Sequence, residues 1–304
     1  MSRILITGHR GLLGSACVRQ FSKSHEVLTL ETSLTDERYV GFWFAENQPE
    51  GVIHCAAKVG GVKANRDNPV SFLIDNVTIQ NNVLRAAAEN GVKKLVNIAT
   101  SCLYPHLAPV PVKEDSLLTG PFSPDVESYA IAKLAGYGLC RAYRSQSGKD
   151  FVTVAPCNLY GPNDNYGPSA HVIPSLIDKF DKAQTDGSNE IKVWGDGSAI
   201  REFLHSDDAA CAIETVYDKY SSPEIINIGH GHPASIRYLV DSISIAYGYH
   251  PNVIWDNSQP VGIQEKTFNA EKLISLGWSP KIGLVDGLKM TIKDFLENPR
   301  TRRK

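Results

Sequence analysis

The chain has 304 residues, of which 42% are hydrophobic and 21% are charged, and its formal net charge is −2. This composition is enough for a large buried core in one domain or two. It has neither the basic excess of a nucleic-acid-binding protein nor a long apolar run for a membrane. Met1 is followed almost at once by the apolar run Ile4 to Ile6, which is not the pattern of a leader segment. We therefore expect a soluble cytoplasmic protein with no nucleic-acid or membrane partner.

The cysteines are scattered along the chain without close spacing. This pattern predicts neither a disulfide framework nor a zinc site. We expect six free thiols and no bound metal, at Cys17, Cys55, Cys102, Cys140, Cys157 and Cys211.

The first predicted strand, Arg3 to Thr7, breaks into a glycine-rich turn that leads into a helix predicted from about Ala16. Glycines spaced three apart allow a tight turn, close approach to a pyrophosphate and packing of the helix on the strand. Free N–H groups and the helix dipole at such a junction favour an anion. The turn is therefore predicted to bind a dinucleotide, through Gly8, Arg10, Gly11, Leu12, Leu13 and Gly14.

The second predicted strand, Glu26 to Leu30, is followed at once by Glu31. An acid at this position usually hydrogen-bonds an adenosine ribose and repels a 2′-phosphate, which favours NAD. Arg10 in the glycine turn would attract a 2′-phosphate, which favours NADP. The two residues therefore give opposite predictions for NADP and NAD, and both cofactors stay open at this point.

A predicted helix from Asp36 to Glu46 is followed by the apolar strand Gly51 to Cys55. Small residues come directly after this strand, where a backbone would pass close to a cofactor. Ala56, Ala57 and Lys58 are therefore predicted to contact the cofactor, with a solvent-exposed loop lysine as the alternative for Lys58.

A long helix is predicted from Val70 to Asn90, and the next strand runs from Lys94 to Ala99. That strand delivers Thr100, Ser101 and Cys102 at its carboxyl end, which is where ligands bind in open parallel α/β sheets.

Tyr129 and Lys133 lie in a helix predicted to begin near Val126. Residues four apart project from the same helix face. An ammonium beside a phenol lowers the tyrosine pKa and prepares the side chain for general acid or base catalysis. Taken alone, such a pair also arises in helices by chance.

With a further strand at Phe151 to Ala155, the alternation of strands and helices predicts an α/β fold with a doubly wound parallel sheet.

The second half of the chain has a less regular pattern, rich in Gly, Pro, Asn and Ser from Gly161 to Ala170. Helices are predicted from about Ile173 to Ala183 and from Ala209 to Tyr220, with strands at Ile191 to Trp194 and Ile225 to Ile228. We predict a Rossmann-type domain at 1–160, to which a segment near 203–230 returns, and a smaller mixed α/β substrate domain at 161–304.

Several motifs together resemble the extended short-chain dehydrogenase/reductases. These are the glycine turn, the hydroxyl pair Thr100 and Ser101, and Tyr129 with Lys133. More narrowly, the chain resembles the GDP-L-fucose synthases from end to end, in segments 8–11, 56–61, 101–105, 129–133, 158–162, 171–174 and 201–205. The resemblance implies an NADP-dependent enzyme that epimerises GDP-4-keto-6-deoxy-mannose at C3 and C5 and reduces it at C4.

The resemblance also implies catalytic roles. Tyr129 would protonate the alkoxide formed at C4, Lys133 would lower the Tyr129 pKa and hold the nicotinamide ribose, and Thr100, with Ser101 beside it, would position the C4 oxygen. Cys102 would be the base and His171 the acid of epimerisation. A thiol and an imidazole both exchange protons near neutral pH, which suits these roles. His171 would also contact the cofactor.

A GDP-sugar is the implied substrate, bound by Asn158, Lys179, Trp194 and Arg201. The planar Arg201 cation could bond two oxygens of a pyrophosphate. The family also implies a homodimer, formed through the helices near Val70 to Asn90 and Val126 to Ser145.

One departure from the family lies after the second strand. The family places arginines there for a 2′-phosphate, whereas this chain has Glu31 in a shortened loop. Four alternative functions share some of the motifs: a 4-keto reductase, a colitose-type enzyme acting on a related GDP-sugar, a UDP-sugar 4-epimerase and a non-catalytic dinucleotide-sensing protein. A 4,6-dehydratase would need an acid soon after Thr100, and the chain has none there.

Overall fold

The structure, a computed structural model, describes residues 1–167, 170–231, 233–258 and 263–298. The strands are β1 Arg3–Thr7, β2 Glu26–Thr29, β3 Gly51–His54, β4 Lys94–Ile98, β5 Asp150–Pro156, β6 Asn158–Tyr160, β7 Glu190–Trp194, β8 Ile200–His205, β9 Ile226–Ile228, β10 Pro233–Ser235, β11 Asn252–Asp256 and β12 Glu265–Lys266. The helices are α1 Leu12–Phe21, α2 Glu37–Asn47, α3 Val62–Asp67, α4 Pro69–Glu89, α5 Glu127–Ser147, α6 Val172–Asp186, α7 Ser206–Lys219, α8 Ile236–Tyr247, α9 Glu271–Ser275 and α10 Leu284–Glu297.

The central sheet has six parallel strands in the order β2-β1-β3-β4-β5-β9. Its inner strands are apolar along most of their length, because apolar clusters cover both faces of the sheet. The strand order reverses direction at β1, so the carboxyl ends of β1 and β3 flank a cleft. The predicted doubly wound, Rossmann-type fold is confirmed.

The second half of the chain forms two smaller sheets. Strand β8 pairs with β6, β10 and β12, and β7 pairs with β11. Helices α6, α8 and α10 contribute buried side chains to a separate apolar cluster beside these sheets. Between them, α7 packs on α1 and β9 joins the central sheet. The division into domains at about residue 160 stays a prediction.

Several elements differ from those predicted, among them α1, α3 and β8. Helix α1 begins at Leu12 rather than near Ala16, because the glycine turn itself serves as the helix N-terminus. Helix α3 was not predicted, since its six residues are too few to show an apolar period. Strand β8 was predicted only as a motif, because fully buried polar residues such as Glu202 and His205 hide its strand pattern.

Among the described residues, no helix is long and apolar enough to cross a membrane. The six cysteines are free thiols.

Candidate active site

The turn between β1 and α1 requires glycine at two positions. Gly8 has a left-handed backbone with φ of 69°, and its carbonyl oxygen accepts a 2.9 Å hydrogen bond from the Gly11 N–H. A Cβ atom on Gly14 would lie 2.1 Å from that same oxygen. Helix α1 therefore begins directly against the turn, and no side chain caps its first N–H groups. Such a helix N-terminus fits the pyrophosphate of a dinucleotide.

The end of β3 forms the other side of the cleft. A Cβ atom on Gly8 would lie 2.9 Å from the Ala56 backbone, so the two loops pass at close range. The Ala56 N–H donates to the Thr7 hydroxyl oxygen at 3.1 Å, which ties the two strand ends together. Together these loops open into a cavity of about 1040 Å³, whose wall includes Gly8, Arg10, Gly11, Leu12, Leu13, Gly14, Ala56, Ala57 and Lys58. Each predicted cofactor residue of these two loops therefore lines one cavity.

Lys58 lines the cavity and is also held by neighbouring side chains. Its ammonium lies 2.7 Å from the Asp75 carboxylate and 5.9 Å from the centre of the Phe72 ring. Its backbone N–H donates to the Asn76 side chain at 2.9 Å. The Lys58 side chain is 40% exposed and α4 holds both its backbone and its ammonium, so cofactor contact and a solvent-exposed loop lysine both stay open for it.

Arg10 and Glu31, which gave opposite predictions for the cofactor, form an ion pair with each other. The His9 ring nitrogen lies 3.0 Å from the second Glu31 carboxylate oxygen. Arg10 and Glu31 are both largely exposed and line the end of the cavity beside Leu30 and Thr32. The Arg10 charge that would attract a 2′-phosphate is thus partly neutralised by Glu31.

The residues after β4 reach the cavity through a single turn of 3-10 helix, Ser101–Leu103. The Thr100 hydroxyl oxygen accepts a 3.2 Å hydrogen bond from the Cys102 N–H and so caps this turn. Thr100, Ser101 and Cys102 all line the cavity. The turn therefore presents a hydroxyl group and a thiol at neighbouring places in the cavity wall.

Tyr129 and Lys133 lie one turn apart on α5 and both line the cavity. Lys133 is 3% exposed, and its ammonium donates to the Ile98 carbonyl oxygen at 2.8 Å. Burial lowers the Lys133 pKa to about 8. The Tyr129 ring packs edge-on against the Phe72 ring with 6.1 Å between centroids.

The predicted lowering of the Tyr129 pKa by Lys133 is wrong for this structure. Burial raises the Tyr129 pKa above its usual value, and the nearby Cys102 thiol raises it further. The Lys133 ammonium is directed to the β4 carbonyl group instead. Tyr129 therefore holds its proton at neutral pH and is prepared to act as an acid.

His171 and Asn158 complete the cavity wall from the second half of the chain. His171 is the residue that precedes α6, and the surrounding protein lowers its pKa by reducing the hydration of its charged form. The Asn158 side chain donates to the Glu202 carbonyl oxygen at 3.0 Å, which links β6 to β8. The catalytic candidates of both chain halves therefore share one cavity.

Three predicted substrate residues, Lys179, Trp194 and Arg201, lie outside the cavity wall. The Lys179 ammonium donates to the Lys192 carbonyl oxygen at 2.7 Å. Trp194 ends β7 and is 54% exposed. Arg201 donates to the Ile200 carbonyl oxygen at 2.7 Å, and burial lowers its pKa.

Two residues that sequence reasoning missed belong to this region. Lys266 on β12 pairs in register with Arg201, and its pKa is lowered by burial, raised by Cys102 and lowered by Arg201. Asp164 lines the cavity, and burial raises its pKa to about 7. A two-residue strand leaves no readable pattern around Lys266. Asp164 could have been found as a carboxyl in the loop before His171.

Within the residues that the structure describes, no group of three His, Cys, Asp or Glu side chains is placed to hold a metal ion. The cavity wall carries the Thr100 and Ser101 hydroxyls, the Cys102 thiol, the Tyr129 phenol, the His171 imidazole and the Lys133 ammonium.

Comparison with known proteins agrees with this geometry. Residues 4–229 match the model of the NAD dependent epimerase/dehydratase family. GDP-L-fucose synthase 1 from Arabidopsis thaliana is 44% identical over 303 residues, covering 98% of this chain and 94% of that protein. GDP-L-colitose synthase from Yersinia pseudotuberculosis is 35% identical, covering 97% of this chain and 98% of that protein.

Among solved structures, the GDP-L-fucose synthetase from Naegleria fowleri bound to NADP superposes with a TM-score of 0.90 at 32% identity. The match covers 100% of this chain and 96% of that one. Both the sequence and the fold are therefore shared along the whole chain. The chain belongs to the NAD dependent epimerase/dehydratase family, within the group of the GDP-L-fucose synthases.

Proposed function

We propose that this chain converts GDP-4-keto-6-deoxy-mannose to GDP-L-fucose by epimerisation at C3 and C5 and reduction at C4, with NADP as the cofactor. The observation that supports it most is the single cavity that brings Thr100, Cys102, Tyr129 and His171 next to the glycine turn. Thr100 and Tyr129 suit the protonation that accompanies hydride reduction, and Cys102 and His171 suit proton exchange. The overall reaction needs both.

The reduction requires a proton for the oxygen at C4. Bound NADPH supplies the hydride. Tyr129, which burial keeps protonated, donates its proton to the developing alkoxide. The Thr100 hydroxyl would hydrogen-bond the same sugar oxygen. Lys133, which donates to the Ile98 carbonyl oxygen, would hold the nicotinamide ribose near Tyr129 when the cofactor is bound.

The epimerisation requires a base and an acid on opposite faces of the sugar ring. The 4-keto group makes the protons on C3 and C5 acidic. Cys102 approaches from the turn after β4 and His171 from the start of α6, so the two groups enter the cavity from different elements. Cys102 removes the proton and His171 returns one to the opposite face.

The GDP group is expected to extend from the cavity towards the second half of the chain. Arg201 and Lys266 are adjacent cations on paired strands, which suits a pyrophosphate. Trp194 offers an exposed ring for a base to stack on, while Asn158 and Lys179 are weaker candidates. A colitose-type substrate is the second candidate, because the GDP-L-colitose synthase is 35% identical in sequence over 97% of this chain.

A second copy of the chain is the proposed partner. The outer face of α4 exposes Val70, Ile74 and Val77, and the neighbouring α5 exposes Ile131. These two helices pack side by side and so present one apolar surface, which is typical of a protein interface.

We also propose a cytoplasmic location, because six free thiols suit a reducing compartment.

The test is a substrate panel with the purified protein and NADPH. NADPH should be oxidised when GDP-4-keto-6-deoxy-mannose is added and not when a UDP-hexose is added. Conversion of the UDP-hexose, with no NADPH oxidation on the GDP-sugar, would overturn the proposal.

A further inference from the structure

Two cysteine side chains meet behind the glycine turn. Cys17 lies on α1, three residues after Gly14, and Cys55 is the residue that follows β3. Their Sγ atoms are 4.0 Å apart. Because the S–S length of a disulfide is about 2.05 Å, a further approach of about 2 Å would bring the two sulfurs to bonding distance.

The two thiols differ in access. Cys17 is 0% exposed, and the Cys55 thiol and burial both hold its pKa well above the usual value, so Cys17 keeps its proton. Cys55 is only partly buried and lines the cavity. An oxidant that enters the cavity therefore meets Cys55 first.

Cys55 also has a cation nearby. Burial lowers the pKa of the Lys133 ammonium and the Cys55 thiol raises it, so the two groups interact. Accessible cysteines beside a cation are the ones that react with oxidants. Cys55 has both properties, whereas Cys17 has a thiol as its immediate neighbour and no access to the cavity.

A third thiol approaches Cys17 from another helix. Cys211 on α7 also raises the Cys17 pKa, and α7 packs on α1. Cys211 lies outside the cavity wall, and the sulfur contact of Cys17 at 4.0 Å is with Cys55. Cys211 is therefore a matched control for the pair.

The backbone around the pair leaves little room for movement. A Cβ atom on Gly14 would lie 2.1 Å from the Gly8 oxygen, and one on Gly8 would lie 3.1 Å from the Cys55 carbonyl carbon. Helix α1, the glycine turn and the end of β3 are thus already in close contact. Drawing the two sulfurs together shifts α1 or the end of β3, and the turn between them has to change with it.

We propose that Cys17 and Cys55 form a peroxide-sensitive pair, in which a disulfide bond distorts the glycine turn and weakens NADP binding. The oxidant is a hydroperoxide such as hydrogen peroxide. The inference needs only cofactor binding and does not depend on which sugar the enzyme converts.

The chemistry takes two steps. The Cys55 sulfur attacks the O–O bond of the peroxide and becomes a sulfenic acid, while the thiol proton leaves with the other oxygen as water. The Cys17 sulfur then attacks the Cys55 sulfur. The S–S bond forms as the S–O bond breaks, and the Cys17 proton leaves with the hydroxyl group as a second water. The two thiols lose two electrons, which the peroxide gains, and a dithiol reverses the bond.

The direct test maps the bond by mass spectrometry. The full-length protein without cofactor is treated with hydrogen peroxide, the excess is removed with catalase, free thiols are alkylated and the protein is digested without reductant. A peptide pair joining Cys17 to Cys55 should appear, and dithiothreitol should remove it. Saturating NADP should slow its formation severalfold, because the cofactor covers Cys55. No bond, or a bond from Cys17 to Cys211 in its place, would overturn the proposal.

Cysteine variants test the order of the two steps. Cys17→Ala should leave Cys55 as a sulfenic acid that dimedone traps, whereas Cys55→Ala should show neither the bond nor a dimedone adduct at Cys17. Cys211→Ala should form the bond as the wild type does. If Cys17→Ala does not fold, Cys55→Ala decides, and an adduct at Cys17 in that variant would contradict the role of Cys55.

Calorimetric titration measures the consequence for the cofactor. Oxidation should raise the NADP dissociation constant of the wild type by about tenfold or more, as expected for strained packing, and dithiothreitol should restore it. In Cys55→Ala the same treatment should leave the constant unchanged, which separates the pair from oxidation of Cys102 in the same cavity wall. Wild-type protein that carries the bond and binds NADP as before would overturn the proposal, whereas failure to convert the GDP-sugar would count against the proposed function alone.

Discussion

At the scale of single residues, the protonation of Tyr129 is set by burial and not by the lysine beside it. Burial raises the Tyr129 pKa, while Lys133 binds the β4 backbone. A phenol that keeps its proton is the form needed to protonate an alkoxide. The i,i+4 spacing predicted the pair of residues, but it could not predict which effect dominates, since burial depends on Phe72 and the turn after β4.

Cys102 is expected to act only in epimerisation. Cys102→Ser should lower deuterium uptake at C3 and C5 of the sugar from heavy water by at least about 100-fold, because the hydroxyl is a far weaker acid–base group. Direct reduction at C4 should persist, since Tyr129 and Lys133 are unchanged. NMR of the recovered sugar measures both. Cys211→Ser, outside the cavity, is the control, and normal uptake in Cys102→Ser would remove this thiol from the mechanism.

Glu31 is expected to set the balance between the two cofactors. Glu31→Gln frees Arg10 from its ion pair and removes an acid that repels a 2′-phosphate. The ratio of kcat/KM for NADPH to kcat/KM for NADH should therefore rise by about tenfold, which corresponds to about 1.4 kcal/mol. Steady-state kinetics with both cofactors measures this ratio.

Glu37→Gln is the control, because Glu37 pairs with Arg85 on α4 and does not line the cavity. A ratio that is the same in Glu31→Gln and the wild type would show that Glu31 does not contribute to cofactor choice.

At the scale of elements, the junction of β1 and α1 depends on the packing of a helix against its own turn. Gly14→Ala would place a methyl group 2.1 Å from the Gly8 oxygen, so α1 must move away from the turn. We expect a loss of about 1–3 kcal/mol in stability and a weaker thermal stabilisation by NADP. Gly41→Ala in α2, where a Cβ atom meets nothing within 4 Å, should be neutral or stabilising. Unchanged NADP binding in Gly14→Ala would contradict this role of the turn.

The apolar face of α4 and α5 is the proposed contact between two copies. Ile74→Asp places a charge at the centre of this face, where Ile74 is 57% exposed, and burying that charge would be costly. Sedimentation velocity should show a dimer for the wild type and a monomer for the variant. Ile254→Asp, at another exposed site on β11, should remain dimeric. A monomeric wild type would refute the dimer.

At the scale of the whole molecule, the first half was more predictable than the second. The regular strands and long helices around the central sheet follow from apolar period and glycine turns, and α4 differs from its prediction by one residue at each end. The second half is held by buried polar contacts between distant segments. The Glu202 carboxylate, for example, accepts the N–H of Phe268 at 2.6 Å, and no local pattern predicts such a contact.

The candidate site shows the same division. Residues at the ends of the parallel strands could be placed together from the sequence, because that edge is shared by every strand of the sheet. Arg201, Trp194 and Lys179 lie outside the cavity wall, and Lys266 is paired with Arg201 through β8 and β12. Their arrangement depends on strand pairing over more than sixty residues, which spacing along the chain does not reveal.

The most direct test of the central claim is one reaction in heavy water with GDP-4-keto-6-deoxy-mannose and NADPH, followed by NMR of the product. The epimerisation groups Cys102 and His171 and the reduction groups Thr100 and Tyr129 should all act on the same sugar. The predicted product is GDP-L-fucose with deuterium at C3 and C5 and with the hydrogen from NADPH at C4. A sugar reduced at C4 that keeps its original hydrogens and configuration at C3 and C5 would contradict the account.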